Sequence, residues 1–329
     1  MRVLMLGGGT FVGRALVDAA VAGGHEVTTF TRTTEPPAGV EALHGDRTTT
    51  EGIDLLAGRE WDVVFDTWSG APRVVQLSVS ALQERVGYYG YVSSASVYGE
   101  WGLGSDETHP TVEASPDAEA TDYPADKRGA ELAVLEGFGE QRCLLARAGT
   151  IVGPYESTGR LVWWVRRIAV GGDVLAPGPA DSRLQWVDAR DLAAWMLTCA
   201  AAGTSGAFNA VSAPGFVGFG EVLQECMTRT SSGATLVWVP PEFVEEQGIS
   251  EWIELPLWLT PVESVAHNGL DTRRAAAAGL ICRPAAETIA DTWAWIQAGG
   301  EPRAVAGRPR PGLDPAKEQQ ALAAWASRR

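Results

Sequence analysis

A run of three glycines, Gly7–Gly9, is the feature of this chain that most constrains its fold. The residues before it, Val3–Leu6, form an apolar run that is too short for a helix, so we predict a buried strand. Apolar side chains recur at helical spacing within Val12–Ala20, and residues 25–31 alternate as a second strand. A strand, a glycine turn, a helix and a second strand in this order predict a binding site for the phosphates of a dinucleotide.

Alternation of strands and helices continues through the first half of the chain. Further strands are predicted at 41–45, 61–66, 88–93 and 143–148, and helices at 73–86 and 123–138. This alternation favours an α/β fold, with a doubly wound parallel Rossmann sheet and a smaller C-terminal substrate lobe. We expect residues 1–155 plus 185–210 to form the dinucleotide-binding domain, and residues 156–184 plus 211–329 to form the substrate lobe.

A tyrosine and a lysine four positions apart are the strongest candidates for catalysis. Lys127 is one of only two lysines in 329 residues, and Tyr123 precedes it on a predicted helix. Positions i and i+4 share a helix face, so the ammonium can stabilise a phenolate beside it. Composition alone would give such a pair by chance about 4% of the time. Ser94 ends a predicted apolar strand, at the sheet edge where open α/β sheets bind ligands.

These features occur in the order found in a known family. The glycine turn with Thr10 at its middle position, Ser94 before Val97-Tyr98-Gly99, and Tyr123-x-x-x-Lys127 resemble the extended short-chain dehydrogenase/reductases, which include nucleotide-sugar epimerases. The resemblance implies that Ser94, Tyr123 and Lys127 are catalytic. It also implies that Asp46 contacts adenine and that Lys127 binds the nicotinamide ribose. A close variant of this glycine turn occurs in a subgroup that includes a chloroplast RNA-binding protein.

The end of the second strand bears on the choice of cofactor. An acidic residue there binds the ribose 2′-hydroxyl of NAD, whereas here Thr31 and Arg32 occupy the end. An arginine can pair with a 2′-phosphate, so we expect NADP to be preferred, with NAD possible. The predicted cofactor-binding residues are Gly7, Gly9, Thr10, Phe11, Val12, Gly13, Arg32, Asp46, Arg47 and Lys127.

The Ser-Tyr-Lys set implies hydride transfer at a carbonyl or carbinol carbon. Sugar 4,6-dehydratases of this family carry an Asp-Glu pair after the catalytic residue, where this chain has Ala95 and Ser96. We expect an NADP-dependent oxidoreductase. The alternative is a nucleotide-sugar epimerase with tightly bound NAD(P). A second alternative is a non-catalytic dinucleotide sensor or RNA-binding relative.

Thirteen tryptophans and few spare cations favour a small hydrophobic or aromatic substrate over a nucleotide diphosphate sugar. Four arginines could reverse this expectation by binding a diphosphate: Arg160, Arg166, Arg167 and Arg183. The predicted substrate residues are Trp68, Ser96, Trp101, Trp163, Trp164 and Arg183.

Composition limits the classes of molecule that the chain is expected to bind. A net charge of −15 argues against nucleic acid, whose phosphates require clustered lysine and arginine. The sequence has no apolar run that could span a membrane and no predicted metal site, and its four scattered cysteines fit a cytoplasmic protein. By family analogy we expect a possible homodimer formed through the helices at 73–86 and 123–138.

Overall fold

The computed structural model describes residues 1–303 and 310–328. Residues 304–309 and 329, which fall in the predicted substrate lobe, lie outside the described residues. The strands are β1 Arg2–Leu6, β2 Glu26–Thr31, β3 Glu41–His44, β4 Trp61–Asp66, β5 Val86–Ser94, β6 Cys143–Ala148, β7 Thr150–Val152, β8 Gly172–Pro177, β9 Arg183–Leu184, β10 Trp186–Asp188, β11 Gly206–Ala210, β12 Val217–Gly218 and β13 Ala234–Val239. The helices are α1 Phe11–Ala22, α2 Thr50–Ile53, α3 Pro72–Leu82, α4 Tyr123–Phe138, α5 Arg160–Val170, α6 Ala189–Ala202, α7 Phe219–Thr230, α8 Pro241–Glu246, α9 Pro261–His267, α10 Arg273–Ala277, α11 Ala285–Gln297 and α12 Pro315–Ala326. Short 3₁₀ helices span Asp54–Leu56, Ala95–Tyr98 and Glu140–Arg142.

Seven parallel strands form the central sheet, in the order β11-β6-β5-β4-β1-β2-β3. From β1 the chain builds outward through β2 and β3, and it then returns to build the other side from β4 to β6. The strand order therefore reverses beside β1, and open α/β sheets bind ligands outside the carboxyl ends of their strands at such a point. The predicted doubly wound Rossmann fold is confirmed.

Apolar runs explain why these strands form a buried sheet. Residues Val3–Leu6 of β1 are at most 1% exposed, which is typical of a strand covered by helices on both faces. On the two sides of the sheet, α1 packs beside α6 and α3 packs beside α4. The predicted helix at 73–86 is shorter in the structure and ends at Leu82, because Val86 already belongs to β5.

The chain divides into two compact units. The first comprises Met1–Thr150, Ala189–Val211 and Asp271–Cys282, and the second comprises Ile151–Asp188, Ser212–Leu270 and Arg283–Arg329, described to residue 328. The predicted substrate lobe included 271–282, whereas the structure places this segment in the first unit. There the Arg274 guanidinium lies 4.5 Å from the centre of the Phe208 ring on β11.

The second unit has its own apolar core. Within it, β8 pairs with β13 in parallel, and β9 pairs with β12 in antiparallel orientation. Large buried side chains of this core include Trp164, Trp186, Phe219, Phe243 and Trp258. Within residues 1–303 and 310–328, no helix is long and apolar enough to cross a membrane.

Two glycines allow α4 to approach its neighbours closely. A Cβ on Gly137 would lie 2.1 Å from the Val79 side chain of α3. A Cβ on Gly129 would lie 2.5 Å from the Ser115 carbonyl oxygen and 2.6 Å from the Pro72 ring. Since α4 carries the predicted catalytic pair, these contacts fix where that helix lies against α3.

We expect Gly137→Ala to lower the free energy of unfolding by about 1–3 kcal/mol, because the added methyl overpacks the α3–α4 contact. The same change in a Val79→Ala background should be neutral or stabilising, since the clashing methyl is gone and alanine favours helix by about 1 kcal/mol. Urea denaturation of the four proteins measures this coupling. Equal effects in both backgrounds would contradict the close contact.

Candidate active site

The glycine turn after β1 is closed too tightly for side chains. Gly7 has φ +98°, a conformation that L side chains rarely adopt. A Cβ on Gly13 would lie 2.3 Å from the Gly7 carbonyl oxygen, and a Cβ on Gly9 would lie 2.6 Å from the Thr34 side chain. These glycines therefore bring the first turn of α1 against the end of β1.

The start of α1 presents backbone amides rather than a capping side chain. Thr10 is the N-cap residue, with φ −144°, and its side chain makes no capping hydrogen bond. Phe11 follows with φ +36°, which is uncommon outside glycine, and Val12 is buried. The first amides of a helix have no partner within the helix, and together with the helix dipole they favour an anion. Gly7, Thr10 and Gly13 thus fit the pyrophosphate of a dinucleotide.

Arg32 and Asp46 lie just after β2 and β3, near the same edge of the sheet. Arg32 is exposed. Asp46 Oδ1 accepts hydrogen bonds from the Thr48 backbone N–H at 2.9 Å and from its hydroxyl at 2.7 Å. These bonds, together with the charge of Arg32, lower the pKa of Asp46 below its usual value. An ionised carboxylate and a guanidinium therefore occupy the region where the ribose and adenine are predicted.

Arg47 has a different set of partners from the one predicted. Its side chain is 8% exposed, and its two terminal nitrogens each lie 2.6 Å from an oxygen of Asp66, with Ser78 Oγ at 2.9 Å. The guanidinium also lies 5.2 Å from the centre of the Trp68 ring. The structure therefore shows Arg47 holding β4 to α3, and these contacts do not support its predicted place against a cofactor.

Asp66 is the centre of this buried network. It is fully buried, and besides Arg47 it accepts hydrogen bonds from the Tyr89 hydroxyl at 2.7 Å and from the Trp68 backbone N–H at 2.9 Å. Burial alone would raise the pKa of Asp66, but the Arg47 charge and these hydrogen bonds lower it below its usual value. Its stabilisation is therefore present above the ordinary carboxyl pKa of about 4 and is lost as the pH falls through the lowered value. This role of Asp66 was not predicted, although a carboxylate at the end of an apolar strand is a signal visible in the sequence.

Ser94 ends β5 at the carboxyl edge of the sheet. Its side chain is nearly buried, and Ser94 Oγ accepts the Ser96 backbone N–H at 3.2 Å, which caps the 3₁₀ helix that follows. The Ser94 hydroxyl also donates to Ser96 Oγ at 3.2 Å. Both predicted serines thus form one hydroxyl pair at this edge.

Tyr123 and Lys127 lie one turn apart at the start of α4. Asp122 caps this helix by accepting the Ala125 N–H, and Tyr123 in the first turn is 37% exposed. Lys127 is only 3% exposed, and Lys127 Nζ donates to the Trp68 carbonyl at 2.6 Å and to the Val92 carbonyl at 2.7 Å. The ammonium is thereby fixed between the residues that follow β4 and the end of β5. Val92, which supplies one of the two carbonyls, lies two residues before Ser94.

A second buried ion pair holds α4 to the sheet. Glu131, one turn beyond Lys127, is fully buried and accepts two hydrogen bonds from Arg147 of β6, at 2.9 and 3.0 Å. It also accepts the Ser93 hydroxyl at 2.7 Å. Arg147 in turn donates to the Tyr98 hydroxyl at 3.2 Å. This network connects the helix of the predicted catalytic pair with the strand and the 3₁₀ helix that carry Ser94 and Ser96.

The predicted substrate tryptophans fall in different environments. Trp68 is half-buried, and its indole N–H donates to the Ala71 carbonyl at 3.0 Å. Trp101 is half-buried in the loop that follows the 3₁₀ helix. In the second unit, Trp164 is fully buried in the core and Trp163 packs against that core. Trp164 has no exposed surface for a ligand, so the structure does not support its predicted role.

Arg183, the remaining predicted substrate residue, lies on β9 of the second unit. It is exposed and forms an ion pair of 3.3 Å with exposed Glu221. Exposed pairs contribute at most about 1 kcal/mol, so this guanidinium can exchange its carboxylate for an anionic ligand.

Comparison with known families identifies the segment that carries Ser94, Tyr123 and Lys127. Residues 66–210, fewer than half of the chain, match the model of the NAD dependent epimerase/dehydratase family. This segment is similar to that family. The resemblance predicted from the sequence is thereby confirmed, and so is the prediction of an enzyme. None of the curated proteins matches the chain.

Solved structures share the fold over almost the whole chain. WbmH of Bordetella bronchiseptica, solved with NAD⁺, has a TM-score of 0.69 and 15% identity, and the alignment covers 91% of this chain and 99% of WbmH. A Thermotoga maritima UDP-glucose 4-epimerase, solved with UDP-glucose, has a TM-score of 0.65 and 17% identity, with 91% and 99% covered. A Thermus thermophilus UDP-glucose 4-epimerase, solved with NAD, has a TM-score of 0.63 and 20% identity, with 90% and 99% covered.

We expect Arg47→Met to lower the free energy of unfolding by about 3–5 kcal/mol, because Asp66 would remain buried without its cation. Arg59→Met is the matched control. Arg59 pairs with Glu41 at 2.8 Å on the surface, and its loss should cost at most about 1 kcal/mol. Urea denaturation at pH 7 measures both. Unchanged stability of Arg47→Met together with weaker NADH binding would instead favour the predicted cofactor contact.

Proposed function

We propose that the chain is a nucleotide-sugar epimerase that works with tightly bound NAD(P). The observation that carries this proposal is the fixed ammonium of Lys127, one turn from exposed Tyr123 on α4. One of the two carbonyls that hold it belongs to Val92, two residues before Ser94 at the carboxyl end of β5. The family match and the epimerases among the similar structures support this alternative over the NADP-dependent oxidoreductase expected from the sequence.

Each of the three side chains suits one part of the reaction. When bound, NAD(P) would supply the acceptor and donor of hydride at the sugar carbon. Tyr123 would remove the proton of the carbinol hydroxyl and return it, while Ser94 would hold that oxygen by a hydrogen bond. Lys127 would stabilise the phenolate through its charge, and the carbonyls of Trp68 and Val92 keep that charge in place.

The residues after Ser94 favour epimerisation over dehydration. Loss of water from a sugar needs a further acid and base beside the reacting carbons. Ala95 is buried and apolar, and Ser96 is a hydroxyl paired with Ser94. Neither side chain can act as a carboxylic acid or a carboxylate base.

A nucleotide diphosphate needs cationic partners, and several arginines of the second unit are candidates. Arg166 and Arg167 are paired there with Glu301 at 2.7 Å and with Glu318 at 2.6 Å. Arg183, whose exposed ion pair is weak, is the residue that we propose for the diphosphate. This proposal replaces the expectation of a hydrophobic or aromatic carbonyl substrate.

Substrate conversion without net use of cofactor is the test of this function. The purified chain is incubated with UDP-glucose and related nucleotide sugars, and the sugar epimers are followed by proton NMR with and without added NAD. Epimer formation with no change in absorbance at the NADH wavelength supports the proposal. Stoichiometric consumption of NADPH with a panel of carbonyl compounds, and no epimer from any nucleotide sugar, would overturn it in favour of the oxidoreductase.

Tyr123→Phe should reduce turnover by about 10²–10⁴-fold, since it removes the general acid and base. NADH affinity should stay within about twofold, because the change removes only one hydroxyl. Tyr155→Phe is the matched control, since Tyr155 of the second unit is 40% exposed. Turnover is measured on the epimerised sugar and affinity by calorimetry. A fully active Tyr123→Phe enzyme would exclude Tyr123 as the proton carrier.

Arg32 is proposed to accept the 2′-phosphate of NADPH. Arg32→Ala should weaken NADPH binding about tenfold, the size of one charge-assisted hydrogen bond, and should change NADH binding less than twofold. Fluorescence quenching of the tryptophans measures both affinities. Equal affinity of the unchanged chain for NADH and NADPH would refute this role and leave NAD as the cofactor, as in WbmH.

A further inference from the structure

The carbonyl of Trp68 is shared by two buried side chains. It accepts Lys127 Nζ at 2.6 Å and the Tyr91 hydroxyl at 2.9 Å. Tyr91 lies on β5 with no exposed surface, and its ring centre is 4.8 Å from Lys127 Nζ. Tyr91 therefore makes two contacts at this place. Its ring contacts the Lys127 ammonium, and its hydroxyl contacts the Trp68 carbonyl that accepts this ammonium.

These contacts leave the carbonyl little freedom. A carbonyl oxygen has two lone pairs, and at Trp68 the two donors occupy both. The backbone N–H of the same residue is held by Asp66, so both sides of this part of the chain are fixed. Burial raises the pKa of Tyr91 well above 10, so its hydroxyl remains a donor at every physiological pH.

We propose that Tyr91 is a positioning residue for Lys127: its hydroxyl fixes the direction of the Trp68 carbonyl, and its ring supports the ammonium that this carbonyl holds. The aromatic face attracts the cation, and the hydroxyl prevents the carbonyl from turning away. The placement of Lys127 follows from these contacts alone. Only the catalytic consequence rests on the proposed function.

Tyr89 provides a matched control on the same strand. It lies two residues before Tyr91, is equally buried, and donates its hydroxyl to Asp66 at 2.7 Å. Tyr89→Phe and Tyr91→Phe therefore remove the same atom from neighbouring points of one buried network. Of these two tyrosine hydroxyls, the one of Tyr91 contacts a carbonyl that holds Lys127, and the one of Tyr89 contacts Asp66.

The scarcity of lysine makes the ammonium directly observable. With ¹⁵N-labelled lysine, the chain gives side-chain signals from Lys127 and Lys317 only. Lys317 is an internal reference, because Lys317 Nζ is held by Glu254 at 2.7 Å, far along the sequence. We expect Tyr91→Phe to move the Lys127 signal and leave that of Lys317 in place, while Tyr89→Phe moves neither. An unmoved Lys127 signal in Tyr91→Phe, or equal shifts in both variants, would overturn the proposal.

A double-mutant cycle tests the same coupling through cofactor affinity. Tyr91→Phe should weaken NADH binding about fivefold to tenfold by calorimetry, and less than twofold in a Lys127→Ala background. Equal losses in both backgrounds would mean that Tyr91 does not act through Lys127. Tyr89→Phe should change affinity less than twofold in either background. If the Lys127 signal moves as expected but no nucleotide sugar is epimerised, the positioning role stands and the proposed function fails.

Discussion

The buried carboxylate of Asp66 is the group on which the arrangement of residues at the carboxyl edge of the sheet depends. It lies at the last position of β4, where the chain leaves the sheet, and its partners come from β5, from the turn after β3 and from the residue that follows Thr67. A buried charge without such partners would cost several kcal/mol, so the segments that supply them are constrained together. Because one of these partners is the Trp68 backbone N–H, the same carboxylate also holds the residue whose carbonyl accepts Lys127.

The pair Glu131–Arg147 has a corresponding role one turn beyond Lys127 along α4. It joins the middle of that helix to β6 and, through Ser93, to the strand that ends in Ser94. The helix is thus held at its start by the bonds of Lys127, along one face by Gly129 and Gly137, and at its middle by an ion pair. Precise geometry at a catalytic site requires this kind of support, because side chains on loops alone are less well fixed.

The fold could be predicted because local pattern and tertiary structure agree. Apolar runs of β1, β4 and β6 are fully buried in the sheet, and a strand buried on both faces needs no information from distant residues to be recognised. The glycine turn and the Tyr123–Lys127 spacing are also local, and the structure brings Ser94 and Lys127 to the same edge.

The partners of individual side chains could not be predicted from the sequence. Arg47 follows Asp46 directly, and nothing local shows that Asp46 bonds to nearby Thr48 while Arg47 pairs with a carboxylate nineteen positions away. Trp164 was assigned to a pocket because tryptophan suits cores and sites equally well, and only packing distinguishes them. Likewise, the length of α3 depends on where β5 begins, and this is determined by the pairing of β5 with β4, in which Val86 lies opposite Trp61.

Tyr123 and Lys127, one turn apart on α4, differ in solvent access, and this difference has a further consequence. Tyr123 is more than one-third exposed, whereas Lys127 is almost completely sealed by the Trp68 and Val92 carbonyls and the Tyr91 ring. Exchange of hydrogen with bulk water is therefore open to the phenol and slow for the ammonium. The Tyr123 hydroxyl proton can therefore be replaced from water, whereas the Lys127 charge, one turn away, stays where the backbone carbonyls hold it.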